Sequence, residues 1–200
     1  FRSMNFLRPI FYLTILSFLF LSCATEEMFD PIAQFETEKP IIKSYANTNY
    51  PNMVYSNDET GIWYEVVEQG DDNSYEYKTI DVVNNYGQTV KTVQIPTITV
   101  RYTGKLISNN IVFDSNLDKS EPLVSKLNQL IPAWYFSFIP KSIESSEFGG
   151  LTARGLKKGS IIRIITPSYY AYGNTSRGSI PANSPLFFEI EVIDIKDDVQ

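Results

Sequence analysis

The chain contains no histidine, and that absence removes several reaction classes. Ser-His-Asp and Cys-His catalysis need an imidazole to carry the proton, and His-ligated metal sites need it as a donor. Cysteine occurs once, at Cys23, so neither an internal disulfide nor a cysteine cluster can form. Positive charge is scarce, with 17 Lys and Arg against 23 Asp and Glu and a net charge of −6. A nucleic-acid binder needs a basic face for phosphate contacts, so no nucleic acid is expected as a partner. Long apolar runs are also missing. The one candidate, Ile10 to Phe20, falls short of the roughly 20 residues that span a bilayer comfortably. Carboxylate chemistry, binding, and catalysis by shape and desolvation remain. No cofactor and no metal are expected.

Aromatic side chains are plentiful: 13 Phe, 13 Tyr and 2 Trp in a chain that is 43% hydrophobic, enough for a core and too much for a wholly disordered chain. One compact domain is the natural count for 200 residues once an N-terminal segment is subtracted. Met4 reads as the start, with Phe1-Arg2-Ser3 an upstream extension. Arg8, the apolar run and Leu21-Ser22-Cys23 together read as a secretory signal over residues 1–22. Its ending resembles a bacterial lipobox, with Phe20 where that motif usually has Leu. The resemblance makes Cys23 the lipidation site and gives the chain a lipid anchor in the membrane; the alternative is an ordinary buried cysteine on an apolar helix. Residues 23–58 are then the lipidated cysteine and a tether, being polar, acidic and punctuated by Pro31, Pro40 and Pro51. Whether Ile41-Ile42 or Met53-Val54-Tyr55 packs on the domain stays open.

Beyond the tether, period-two alternation takes over. Gly61 to Val67 alternates Ile62, Tyr64 and Val66 with Trp63, Glu65 and Val67. Tyr75 to Val93 holds two strand-like pieces around Asn84-Asn85-Tyr86-Gly87, predicting a hairpin at the sheet edge. Ile98, Val100 and Tyr102 share one face of a further strand. In the last run, Leu186, Phe188, Ile190 and Val192 alternate with Phe187, Glu189, Glu191 and Ile193, a strand with one buried and one mostly wet face. The connection before it carries Tyr169, Tyr170, Tyr172, Ile180 and Pro181, too much apolar area for a free surface loop. It is expected to fold back as a lip over the sheet.

Several of these segments resemble FKBP-type peptidyl-prolyl cis-trans isomerases. Val100-Arg101-Tyr102-Thr103-Gly104, Val112-Phe113-Asp114-Ser115, Ala171-Tyr172-Gly173, Ile180-Pro181-Ala182-Asn183 and Leu186-Phe187-Phe188-Glu189 occur in the family's order at close to its spacing. Leu130-Ile131-Pro132-Ala133-Trp134 is similar to the segment in which the family places a tryptophan at the base of its pocket, with Ala133 in place of the usual glycine. The resemblance covers about 61–195 and implies an α+β fold, an FKBP-like bent antiparallel β-sheet wrapped around a short α-helix, over residues 59–198. It implies Trp134 as the pocket floor and Tyr102, Leu123, Leu130, Ile131, Ile180 and Phe188 as further substrate contacts. Asp114, Tyr172 and Phe113 would stand closest to the reacting bond. Leu123 occupies a position where the family commonly has Phe. Two stretches exceed the family's length, 75–93 and 135–150, and the second bears on the near wall of the pocket. The implied function is peptidyl-prolyl isomerisation assisting exported proteins in a bacterial envelope, with proline-containing polypeptides as substrates and macrolide-type compounds as ligands. The alternative is a non-catalytic chaperone or assembly module of an envelope complex, of which gliding-associated lipoproteins are one context. Each aromatic taken singly also fits plain core, and Asp114 fits a turn cap.

Overall fold

Apolar alternation commits the two longest strands to each other. In the computed structural model, which describes residues 28–198, β5 (Pro96–Leu106) and β11 (Leu186–Asp197) pair antiparallel from Leu106↔Leu186 to Pro96↔Asp197. The register shifts between Val192 and Asp194, so Ile193 forms a bulge that bends the pair. The remaining strands are β1 (Val54–Tyr55), β2 (Trp63–Glu68), β3 (Thr79–Val83), β4 (Thr89–Val93), β6 (Val112–Ser115), β7 (Leu123–Lys126), β8 (Ser142–Ile143), β9 (Ser146–Glu147) and β10 (Ile161–Thr166). The main sheet runs β1-β2-β10-β11-β5-β6, with β7 also pairing with β5. Every pairing between named strands is antiparallel.

One face of this sheet holds the main core. Ile162, Ile164, Phe188, Ile190 and Val100 pack there against Trp134 and Phe138 of a short helix, α2 (Pro132–Phe138). Proline at the first helical position suits α2, since its missing N–H would be unpaired anyway. The α+β expectation of a bent sheet around a short helix holds.

The other face, expected to be mostly wet, is so at Glu189 and Glu191, and the structure corrects the sequence reading at the end around Phe187. A 19-residue helix, α1 (Pro31–Asn49), lies across it, so the tether assigned to 23–58 is a packed element from Pro31 onward. Asp30 caps it by accepting the N–H groups of Ile32 at 2.9 Å and Ala33 at 3.2 Å. Its buried residues are Phe35, Glu38, Ile42 and Ala46, spaced as one stripe of a helix. The stripe was hard to read because one member is a glutamate, and because Pro40 sits inside the helix on its exposed side. Ile42, Ala46 and Met53 bury Ile165, Phe187 and Ile107 of the sheet side. Ile42 and Phe187 are 0% and 2% exposed, so each contributes about 1.5–3 kcal/mol of burial. Tyr50, just past α1, stacks on Phe187 with ring centres 4.7 Å apart. The expectation of a single helix is likewise corrected to two α-helices among the described residues.

Both extra stretches take definite form. β3 and β4 make the expected hairpin, but they pair only with each other and do not extend the main sheet. The 135–150 stretch completes α2 and then turns through the β8–β9 hairpin. Cys23 and the signal lie outside the described residues. Among the described residues, no helix is long and apolar enough to cross a membrane.

Candidate active site

A cavity of about 400 Å³ opens between α2, the concave sheet face and the connection from β10 to β11. Its floor is Trp134, 3% exposed, whose indole nitrogen has no hydrogen-bond partner among the described residues. Three edge-to-face contacts build the wall outward from it. Trp134 meets Tyr102 at 5.1 Å and Phe188 at 5.5 Å, and Phe188 meets Phe113 at 5.7 Å. Gly104 makes the last contact feasible. A Cβ there would lie 2.5 Å from the Phe113 ring and 3.0 Å from Phe188. The glycine between Tyr102 and Phe113 is thus a space requirement of the aromatic wall.

The rim is polar. The Tyr102 hydroxyl donates to Asp114 Oδ2, and Lys119 Nζ lies 3.9 Å from Asp114 Oδ1. Burial, the hydrogen bond to Asp114 and that residue's negative charge push the Tyr102 hydroxyl well above its ordinary range. The Tyr172 hydroxyl is also raised, by burial and by Asp114, with Arg177 pulling the other way. The Arg177 guanidinium sits 5.9 Å over the Tyr172 ring. These placements rest on buried support. Asn116, 3% exposed, accepts the Tyr102 N–H at 2.7 Å and donates to the Val100 carbonyl at 2.9 Å. Arg101 donates to the carbonyls of Asn116 at 2.6 Å and Lys119 at 2.8 Å, fixing the loop behind Asp114.

Of the residues singled out from sequence, Tyr102, Phe113, Asp114, Leu123, Leu130, Ile131, Trp134, Tyr172 and Phe188 all line this one cavity. Ile180 does not. It is 6% exposed within the main core, where the reciprocal backbone bonds between Arg177 and Ile180 tighten the lip. Gln129, Pro132, Ala171 and Arg177 line the cavity and were missed. Pro132 and Ala171 are neighbours of recognised residues and could have been read from adjacency; Gln129 and Arg177 carry no motif. Of the 135–150 stretch, no residue lines the cavity, so the added length leaves the near wall clear. Among the described residues, no cluster of acidic, histidine or cysteine side chains could hold a metal ion.

Comparison with known proteins gives a consistent answer. The family model described as FKBP-type peptidyl-prolyl cis-trans isomerase matches residues 88–193. The "FKBP-type peptidyl-prolyl cis-trans isomerase FkpA" of Buchnera aphidicola is 39% identical over 99 residues, covering 50% of this chain and 33% of that protein. The Escherichia coli protein of the same name is 31% identical over 137 residues, covering 68% of this chain and 38% of its own. This chain therefore spans well under half the length of these curated relatives. The crystal structure of FkpA from Escherichia coli superposes with a TM-score of 0.56 at 26% identity, over 84% of this chain and 62% of that one. A peptidyl-prolyl cis-trans isomerase structure from Pseudomonas syringae, at 20% identity and a TM-score of 0.53, shares the fold over 85% of this chain and 98% of its own.

Proposed function

Because this chain belongs to the FKBP-type peptidyl-prolyl cis-trans isomerase family, we propose that it accelerates rotation about X–Pro bonds in exported polypeptides. The observation that carries this reading is the buried aromatic cavity over Trp134 with Tyr172 and Asp114 at its rim. Rotation about a peptide bond destroys amide resonance at a cost of about 18–20 kcal/mol. The twisted amide has less charge separation than the planar one, so a dry apolar cavity favours it relative to water. The prolyl ring seats on the Trp134 indole between Phe113 and Phe188. The Tyr172 hydroxyl donates to the substrate carbonyl, which fixes the acyl side while the ring side turns. Asp114, held by Tyr102, stands beside the carbonyl carbon as that carbon becomes more ketone-like. A rate gain of about 10⁵ needs roughly 7 kcal/mol, within reach of a desolvated site with a few placed polar groups. No nucleophile, metal or imidazole is called for, consistent with a chain that lacks histidine.

The direct test is the isomerisation rate of a proline tetrapeptide with the purified protein. Rates no faster than the uncatalysed reaction would defeat the enzyme reading and leave the binding module. One observation favours that second reading: the β3–β4 hairpin exposes Val83 (71%) and Tyr86 (87%), a surface suited to holding a polypeptide.

The protein acts in a bacterial envelope, held to the membrane by acylated Cys23, on the strength of the apolar run that ends there. Cys23→Ser should release it from the membrane fraction or block processing; unchanged fractionation of the variant would remove the anchor. Macrolide-type compounds are expected to compete for the same cavity.

A further inference from the structure

The isomerase site, on the reading above, extends beyond its cavity: we propose that α1 clamps the lip, with Glu38 as the positioning residue that sets Tyr172 in place. Glu38 is 1% exposed and, among the described residues, forms no ion pair; three donors satisfy its carboxylate. Oε2 accepts the Ser168 N–H at 2.7 Å, while Oε1 accepts the Ser168 hydroxyl at 2.6 Å and the Gln34 amide at 2.8 Å. Two of the three come from one residue of the lip. Ser168 in turn accepts the N–H groups of both Ala171 and Gly173 at its carbonyl, each at 2.8 Å. Those two residues flank Tyr172. A chain of four hydrogen bonds thus runs from a helix outside residues 88–193, the family-matched stretch, to the backbone on either side of the rim hydroxyl.

The aromatic contacts around this chain point the same way. Phe35, one turn before Glu38, meets Tyr169 at 5.9 Å and Tyr170 at 6.3 Å, both in the lip. Gly61 admits Phe35, because a Cβ there would stand 2.9 Å from its ring. Downstream on α1 the contacts change character: Ile42 and Ala46 bury sheet residues and leave the lip alone. The N-terminal half of α1 holds the lip and the C-terminal half holds the sheet. Burying a carboxylate is costly unless it is fully hydrogen-bonded, so a leucine would have served helix docking better. The glutamate is explained by what it fixes.

Three variants of the full chain separate a clamp from a helix that merely stabilises. Glu38→Ala leaves the Ser168 N–H and hydroxyl buried without an acceptor; kcat/KM on a proline tetrapeptide should fall about tenfold, chiefly through KM, and amide exchange at residues 170–173 should accelerate while β5 and β11 stay protected. Glu38→Gln retains an acceptor and should recover part of both effects. Ile42→Val trims the same helix away from the lip and should lower the melting temperature without moving KM or lip exchange. Should Glu38→Ala not fold, Ser168→Ala removes one of the two clamp donors and should loosen exchange at 170–173 by a smaller step. Unchanged lip exchange in the Glu38 and Ser168 variants overturns the clamp, as does Ile42→Val reproducing the Glu38→Ala kinetics. The exchange measurement stands apart from catalysis: an inactive wild-type protein would sink the isomerase reading while lip exchange still decided the clamp.

Discussion

Phe187 and Phe188 are chain neighbours that point to opposite sides of β11 and enter two different kinds of core. Phe188 meets Trp134 and Phe113 edge-to-face, and the space those rings leave open is the cavity. Phe187 lies flat against Tyr50 beneath α1, and the nearby Arg163–Glu189 and Arg163–Glu65 pairs continue that side as a charged surface. Aromatic area on the α2 side is arranged around an unfilled volume with polar groups at its mouth. On the α1 side Phe187, 2% exposed, is covered by the Tyr50 ring. The same residue type therefore lines a cavity on one face and docks a helix-end aromatic on the other, and what separates the two is whether a space is left beside the ring.

The sharpest way to break that contrast is to truncate the two phenylalanines in turn. Phe187→Ala and Phe188→Ala should each destabilise by about 3–5 kcal/mol, as buried Phe→Ala changes do, measured by thermal or denaturant melts. Only Phe188→Ala should also lower kcat/KM; Phe187→Ala should keep the isomerisation rate per folded molecule within about twofold. Equal loss of activity in both would erase the distinction. Phe113→Ala comes next. Phe113 is half-buried at the rim, so the change admits water to the wall, and a fall of about 10²-fold in kcat/KM with a smaller loss in melting temperature is expected. Tyr172→Phe keeps the ring and removes one hydroxyl. Its cost should be that of an ordinary hydrogen bond, about 0.5–1.5 kcal/mol in kcat/KM, with stability nearly unmoved. The smallest effect expected is that of pH. The chain has no histidine, and the Tyr102 and Tyr172 hydroxyls are both held above their ordinary range, so kcat/KM should be flat from about pH 6 to about pH 9. A tyrosine raised in the folded state loses its proton first in the unfolded chain. Its stabilising contribution is therefore complete below pH ~10 and fades as pH climbs toward the folded value, reaching about 12 for Tyr45 and Tyr55. A bell-shaped rate profile centred near neutrality would show a titrating group that the cavity does not contain.

The legibility of the two faces differs for the same reason. On the α2 side, Tyr102, Phe113, Asp114, Trp134 and Tyr172 sit in motifs whose order survives as plain text, and they converge on the cavity. Arg177 escaped because an arginine among Thr, Ser and Gly residues looks like solvated loop. It reaches the cavity through the turn that pairs it with Ile180. Ile180 was misplaced for the complementary reason, since that turn sends it into the core. Asn116 gave no signal either: a buried asparagine that ties Tyr102 to the loop behind Asp114 is defined by backbone partners far from it in sequence. On the α1 side, even the helix was hidden. Its stripe of Phe35, Glu38, Ile42 and Ala46 contains a charge, and a charge in a buried register reads as solvent-facing until its partner is known.

By itself the sequence determined the strand alternation, the aromatic inventory of the cavity and the exclusion of imidazole and thiol-cluster chemistry, because side-chain type and a period of two are local properties of the chain. Only the tertiary structure decided that part of the supposedly wet face is covered by a helix, that the added stretch at 135–150 leaves the cavity clear, and that Ser168 answers to Glu38 across 130 residues. Hydrogen bonds and apolar contacts between distant segments depend on where the chain brings those segments together, and a buried polar group such as Glu38 acquires its meaning from the donors it meets there.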